Sequence, residues 1–227
     1  MRDLKDSPTA QHIITSDGSS TLFSSVFNQH YHSIHGAVQE SMHVFIQAGL
    51  RELPTQLTDI RIFEMGFGTG LNALLSCMHK ESFSIQYTSI EAYPISEEQV
   101  AKLNYPSILS QPDLQQLFQD LHELPWGITR KIREGFSLSK HHTKLQDFSP
   151  DEGFDLIYFD AFGPSAQPEL WTDDVMTQMA AFLKTGGIFV TYSAKSSVRK
   201  GLIRAGLEVE KIPGPPGKRE MLRAKKE

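Results

Sequence analysis

Three carboxylates stand where short apolar runs give way to loops: Glu64, Glu91 and Asp160. The first opens Glu64-Met65-Gly66-Phe67-Gly68-Thr69-Gly70, which follows an apolar run and precedes a helical pattern. Glycines in such a bend let the backbone turn tightly and let a ligand approach where a Cβ would obstruct it. Their spacing is G-x-G-x-G, not the G-x-G-x-x-G of dinucleotide enzymes. Glu91 follows Gly70 by 21 residues, at the end of the next candidate strand. A carboxylate there can accept hydrogen bonds from both ribose hydroxyls of a nucleoside. Glu64 suits an amino-acid ammonium, and a pyrophosphate would gain nothing from it. Acids on both sides of the bend therefore favour S-adenosylmethionine. A nicotinamide cofactor, or a glycine turn that holds no ligand, are the alternatives.

Asp160 closes the most apolar run of the chain, Phe154 to Phe159, and precedes Ala161-Phe162-Gly163-Pro164. A carboxylate there would face the crevice where a methyl donor and its acceptor meet. In-line displacement at a sulfonium needs a free lone pair, which an ammonium lacks. Asp160 could hold an amine, orient its lone pair and take its proton. Its alternative role is to brace the loop. Asp147, after Thr143-Lys144-Leu145-Gln146, stands where related folds place an acid for the adenine amine; a plain turn Asp reads as well. His30, His32 and His35 cluster without a cysteine or carboxylate at metal-site spacing, so no metal is expected.

The elements that must position these groups alternate. Arg61–Met65 and Ser84–Ile90 read as strands, Leu71–His79 as a helix between them, and Ser96 as the N-cap of the next. Residues 101–135 suggest short helices, and Phe136–Leu138 a strand. Phe154–Phe159 reads as a strand covered on both faces. Thr172–Lys184 is expected as a helix stopped by Gly186-Gly187, followed by a strand at Gly187–Thr191 and a helix at Ser197–Ala205. Leu207–Ile212 and Arg219–Arg223 suggest a last antiparallel pair. Upstream, the turn signal Ser16-Asp17-Gly18-Ser19 between Ile13-Ile14 and Thr21-Leu22-Phe23 predicts a hairpin, and Gly36–Leu50 a helix. The pattern implies a doubly wound, mostly parallel α/β sheet. Residues 1–50 would form an N-terminal extension lining the substrate mouth and residues 51–227 the core, in one domain.

Composition sets the outer bounds. The chain has 227 residues, 39% hydrophobic and 22% charged, which suits one globular core. No apolar run is long enough to cross a bilayer, and the mixed charges from Met1 to Asp6 do not read as a secretory signal. The lone Cys77 forms no intrachain disulfide and points to a reducing cytoplasm. The net charge of −5 hides a division: from Lys195 onward ten Lys/Arg outnumber four acids, a balance of +6, leaving −11 elsewhere. A basic tail on an acidic body can attract phosphate locally.

Several stretches together resemble one family. They are Ser16-Asp17-Gly18-Ser19-Ser20-Thr21-Leu22, His30-Tyr31-His32-Ser33, Gly36-Ala37-Val38-Gln39-Glu40-Ser41, the bend through Asn72, Phe159-Asp160-Ala161-Phe162-Gly163-Pro164 with Pro168-Glu169-Leu170-Trp171, Val198-Arg199-Lys200-Gly201-Leu202, and Lys218-Arg219-Glu220-Met221. Nearly the whole chain resembles the methyltransferase domain of the tRNA 5-(aminomethyl)-2-thiouridine methyltransferases, the MnmC/MnmD type. The resemblance implies a Rossmann-like class I fold and methylation of the 5-aminomethyl group of a wobble uridine in tRNA. It implies that Gly66, Gly68, Gly70, Asn72 and Glu91 contact the donor and that Asp160 sits at the reacting amine. Tyr31, Phe162, Pro164 and Trp171 become candidates at the flipped-out uracil, and Lys218, Arg219, Arg199, Lys200 and Arg204 at phosphates. No second glycine fingerprint is present, so no fused FAD-dependent oxidase is expected. Ala161 departs from the glycine found there in many members. An aminopropyltransferase or small-amine methyltransferase on the same fold, and an RNA-binding module, remain alternatives.

Overall fold

The computed structural model describes residues 10–227. The segment from Met1 to Asp6, read above as no signal, lies outside the described residues. Strands β1 (Ala10–Ile14) and β2 (Ser20–Ser24) form the expected antiparallel hairpin, and β3 (Gln29–His30) adds to its edge. Helix α1 (Ala37–Ser41) then runs directly into a π-helical stretch, Met42–Gln47.

The main sheet contains β4 (Asp59–Met65), β5 (Ser84–Glu91), β6 (Thr129–Arg133), β7 (Phe136–His142), β8 (Phe154–Phe159), β9 (Leu183–Thr191), β10 (Leu207–Pro213) and β11 (Glu220–Lys226). Its spatial order is β10-β11-β9-β8-β4-β5-β7-β6. The five strands from β9 to β7 are parallel, and β6, β11 and β10 pair antiparallel at the two edges. The chain winds outward from β4 through β5 to β7, then returns to the other side at β8. The switch point therefore lies between β4 and β8, where their carboxyl ends diverge and leave a crevice.

Helices α2 (Leu71–Met78), α3 (Glu97–Val100), α4 (Tyr105–Leu109), α5 (Leu114–Glu123), α6 (Asp173–Phe182) and α7 (Ser196–Arg204) lie between strands. Alternation along the central strands divides the core. Ile60, Ile62, Leu156, Tyr158 and Val190 join one apolar cluster with α2 and α5, while Phe63, Met65, Ile157, Phe159 and Phe189 join another with α6 and α7. Strands β4 and β8 are thus covered on both faces, which is why their sequences are apolar at consecutive positions. Cys77 is a buried core residue, and burial pushes its thiol up to about 11. Among the described residues no helix is long and apolar enough to cross a membrane.

Two expectations change. Helix α6 stops at Phe182, not at Gly186-Gly187. Leu183 takes extended geometry and pairs with Phe154, so β9 begins four residues before the expected Gly187. The ion pair of Lys184 with Asp155, at 2.8 Å, holds this early section against β8. The segment expected to be short helices also ends in a strand, β6, whose Thr-Arg-Lys-Ile-Arg sequence is polar because it is an exposed edge. Ser96 caps α3 as expected, in a capping box with Gln99.

Asn104 fastens the hairpin to the main body. Asn104 Oδ1 accepts from Ser20 N (2.7 Å) and Ser20 Oγ (2.8 Å), and Asn104 Nδ2 donates to Gly18 O (2.9 Å). Asn104→Ala leaves these partly buried groups without partners, so it should cost about 1–3 kcal/mol of stability. Urea denaturation measures that loss, and limited proteolysis should find the hairpin turn more readily cut than in the parent.

Candidate functional site

A cavity of about 890 Å³ opens beyond the carboxyl ends of β4, β5, β8 and β9. Its floor is the glycine bend between β4 and α2. Gly66, Gly68 and Gly70 all have positive φ (93°, 50° and 72°). A Cβ on Gly66 would meet Asp160 O at 3.2 Å, and one on Gly68 would meet Tyr31 Cδ1 at 3.2 Å. The bend is therefore a cradle that side chains would fill, as close approach of a ligand requires. A Cβ on Gly70 would instead meet His122 Nε2 at 2.8 Å, so this glycine is fixed by packing.

Glu91 holds the bend from the neighbouring strand. One oxygen accepts from Gly68 N (3.0 Å) and the other from Tyr93 N (2.8 Å). Burial raises its pKa, and the backbone donors partly oppose that rise. Each carboxylate oxygen retains a second lone pair, so the group can still accept from a diol in the cavity.

Asp160 lies across the crevice at the end of β8. Its backbone N donates to Met65 O (3.2 Å), and its carboxylate accepts from Asn72 Nδ2 (2.8 Å). Desolvation holds the Asp160 carboxyl well above the usual carboxylate range; Glu40 adds to the rise, and the Asn72 hydrogen bond and Lys218 oppose it. The following loop is held by three side chains. Tyr192 OH donates to Ala161 O (2.8 Å), Trp171 Nε1 to Phe162 O (2.8 Å), and Gly163 N to Gln29 Oε1 (2.9 Å). Phe162 stacks on Phe27 with centroids 4.5 Å apart and meets Tyr31 edge-on at 5.0 Å, forming an aromatic wall.

Of the expected residues, Gly66, Gly68, Asn72, Glu91, Asp160, Tyr31, Phe162, Pro164, Lys218 and Arg219 all reach the cavity wall. Glu64, Gly70, Asp147 and Trp171 do not. Glu64 is fully buried beneath the bend, Asp147 is exposed in a short 3-10 turn, and Trp171 braces the Asp160 loop from behind. Lys218 is an ion-pair partner: its Nζ bonds Glu40 Oε1 (2.7 Å) and sits 3.8 Å from the Tyr192 ring centroid. Arg204 pairs with Asp173. Sequence reasoning missed Phe27, Glu40, Tyr93 and Tyr192, all on the wall. Tyr192 and Tyr93 follow the ends of β9 and β5, where a ligand crevice is expected, and that signal could have found them. His30, His32 and His35 line the mouth, and burial brings His32 down to about 4, with its Nε2 2.8 Å from Thr69 Oγ1. Among the described residues no three His, Cys, Asp or Glu side chains form a metal-binding group.

Residues 138–227 match the model of a family described as S-adenosyl-L-methionine-dependent methyltransferase. The chain is 33% identical to the tRNA 5-methylaminomethyl-2-thiouridine biosynthesis bifunctional protein MnmC of Cupriavidus metallidurans, over 93% of this chain and 33% of that protein. It is 31% identical to the protein of the same name from Actinobacillus pleuropneumoniae, over 91% of this chain and 34% of that protein. The chain spans about one third of the length of these curated relatives. The crystal structure of MNMC2 from Aquifex aeolicus superposes with a TM-score of 0.75 at 25% identity, covering 97% of this chain and 72% of that one. Fold, glycine cradle and kinship define a class I S-adenosyl-L-methionine-dependent methyltransferase. Within that class the relatives it is similar to are the MnmC proteins, of which it spans about one third.

Glu91→Gln replaces one oxygen by an NH2 group facing a backbone N–H, at Gly68 or at Tyr93. The mismatch should cost about 1–3 kcal/mol and loosen the bend. Calorimetry should then show S-adenosylmethionine affinity reduced roughly tenfold, equivalent to about 1.4 kcal/mol. Unchanged affinity would separate Glu91 from donor binding.

Proposed function

We propose that this chain methylates the 5-aminomethyl group of a wobble uridine or 2-thiouridine in tRNA, giving the 5-methylaminomethyl product. The observation that carries the reading is the single cavity wall shared by the glycine cradle, Glu91 and the Asn72-bound carboxylate of Asp160. Kinship with the MnmC proteins supplies the tRNA substrate, and a tRNA substrate implies a cytoplasmic enzyme. The aminomethyl group must be prepared by an oxidative step that removes a carboxymethyl group from the same nitrogen.

Gly66, Gly68, Asn72 and Glu91 hold the donor in this reading. When bound, S-adenosylmethionine supplies a methyl group on a sulfonium; transfer to the amine breaks that carbon–sulfur bond, makes a nitrogen–carbon bond and releases a proton. Asp160 accepts a hydrogen bond from the amine, orients its lone pair and receives the proton. Its desolvated carboxyl has a raised pKa, so it is a better proton acceptor than an exposed carboxylate. Phe162 and Tyr31 provide an aromatic face for the extruded uracil, with Pro164 beside them. Trp171 acts through the loop it braces. Exposed Lys195 and Arg219 at the mouth, with Arg199 and Lys200 on α7, meet the phosphates. Lys218 contributes from within, as the partner of Glu40.

The test is incubation with labelled S-adenosylmethionine and tRNA from a strain lacking this methyltransferase, followed by nucleoside mass spectrometry. Label should appear in 5-methylaminomethyl nucleosides, and turnover of free polyamines without tRNA would instead favour the aminopropyltransferase reading. Asp160→Ala should keep donor affinity and lose about 100-fold in turnover. A proton acceptor must be ionised, so wild-type kcat/KM should rise with pH through the raised Asp160 pKa. Its acid limb should therefore lie well above the ordinary carboxylate range. A limb near the usual Asp value would remove Asp160 as the acceptor.

A further inference from the structure

Glu64 is fully buried at the end of β4, and among the described residues no donor meets either of its carboxyl oxygens in full hydrogen-bond geometry, although Ser89, Asn72 and Tyr87 lie close enough to act on it. The Asn72 Oδ1 and Tyr87 hydroxyl atoms are also buried and unpartnered. These groups belong together. Glu64 stands opposite Ser89 on β5 and Tyr158 on β8, on the sheet face that also carries Tyr87. Ser89 and Tyr87 from β5 and Asn72 from α2 are the side chains that act on Glu64. Ser89 Oγ donates to the Glu64 backbone oxygen at 3.4 Å. The only charged group among the influences on Glu64 is Asp160, of like sign.

Donor and acceptor accounting selects one arrangement. An ionised Glu64 offers acceptors only, and Asn72 Oδ1 is another acceptor, so it would stay without a donor. A neutral Glu64 carries one O–H. That O–H can go to Asn72 Oδ1, while the Tyr87 hydroxyl donates to the other Glu64 oxygen. Asn72 Nδ2 then continues the series to Asp160 Oδ2 at 2.8 Å. These four buried atoms each gain a partner, and Glu64 is not left as an unpaired ion in the interior. Burial acts in the same direction, holding Glu64 well above the usual carboxylate range.

We propose that Glu64 is a positioning residue: it keeps its proton, gives it as a hydrogen bond to Asn72 Oδ1, and so locks the amide with Nδ2 facing Asp160. It does not bind the donor's ammonium. The inference rests on the reading of Asp160 as the group at the reacting amine, yet its test is readable without tRNA. Infrared spectroscopy at neutral pH should show the carbonyl band of a protonated carboxyl group that is missing in Glu64→Gln. Calorimetry should show Glu64→Gln, which leaves Asn72 held, binding S-adenosylmethionine within about twofold of wild type, a difference near the noise of such free energies. In the methylation assay Glu64→Gln, whose amide can still donate to Asn72, should retain most of kcat. Glu64→Leu should lose roughly tenfold or more in kcat at unchanged KM for tRNA. Its acid limb should also move to higher pH, because a freed Asn72 no longer lowers the Asp160 pKa. A tenfold loss of donor affinity in Glu64→Gln, or an infrared band that survives the substitution, would overturn the proposal. If no tRNA is methylated by the wild type, the band and the affinities still decide the state of Glu64, and it is the functional reading that fails.

Discussion

The site depends on one hydrogen bond across the switch point, from Asn72 Nδ2 to Asp160 Oδ2. Asn72 stands in the first turn of α2, directly after the glycine bend, and Asp160 directly follows β8. The bond therefore joins the glycine-bend side of the crevice to the β8 side. Its strength comes from desolvation, since a charged acceptor in a low-dielectric setting gains more from one well-placed donor than it would in water. The same burial raises the carboxyl's basicity. The Asn72 donor opposes that rise, so the carboxylate is kept basic without being left wholly unpartnered.

Around this bond the protein spends much of its architecture on the loop after Asp160. Tyr192 from the end of β9, Trp171 from the short 3-10 turn Pro168–Leu170 and Gln29 from β3 each bond a different backbone group of that loop. Three separate elements thus fix a segment whose own sequence has no regular secondary structure. Ala161 occupies the position beside the carboxylate, where its carbonyl takes the Tyr192 hydroxyl and its methyl group is 5% exposed. The extra carbon relative to glycine is accommodated in the apolar cluster behind β8 without closing the cavity.

The fold was readable because β4 and β8 are buried on both faces and announce themselves as apolar runs that stop at a glycine or an acid, while β5 shows as an alternating strand between them and the edge. The edge strand β6 gave no such signal, since an exposed edge gains from Arg and Lys and carries no apolar alternation. The end of α6 was misread for a related reason. Two glycines look like a helix stop, but the pairing of Leu183 with Phe154 ends the helix earlier, and only the tertiary structure supplies that partner. In the site, Asp160, Glu91 and the glycines were legible because they sit at strand ends. Glu40 was not, because it becomes a cavity residue only when the N-terminal extension folds over the core. Trp171 and Asp147 show the converse: residue type and neighbourhood nominated them, but one packs behind the loop and the other faces solvent.

The charge distribution completes the case for the kind of ligand this cavity can take. Its interior presents Asp160, Glu91 and Glu40, with Lys218 committed to Glu40 and to the Tyr192 ring. Its rim carries Lys195 and Arg219, and α7 extends that basic edge with Arg199 and Lys200. A ligand matched to this field is anionic over its outer extent and bears a cation at the tip that enters. A free polyamine would gain at the interior but be repelled at the rim, and an ordinary nucleic-acid strand would gain at the rim but carry nothing for the acids within. A polyanion that carries an amine at its entering tip satisfies both. The body's balance of −11 against +6 in the tail then has a physical use. An acidic body disfavours polyanions over most of the surface, and the basic edge confines their attraction to the face on which the cavity opens.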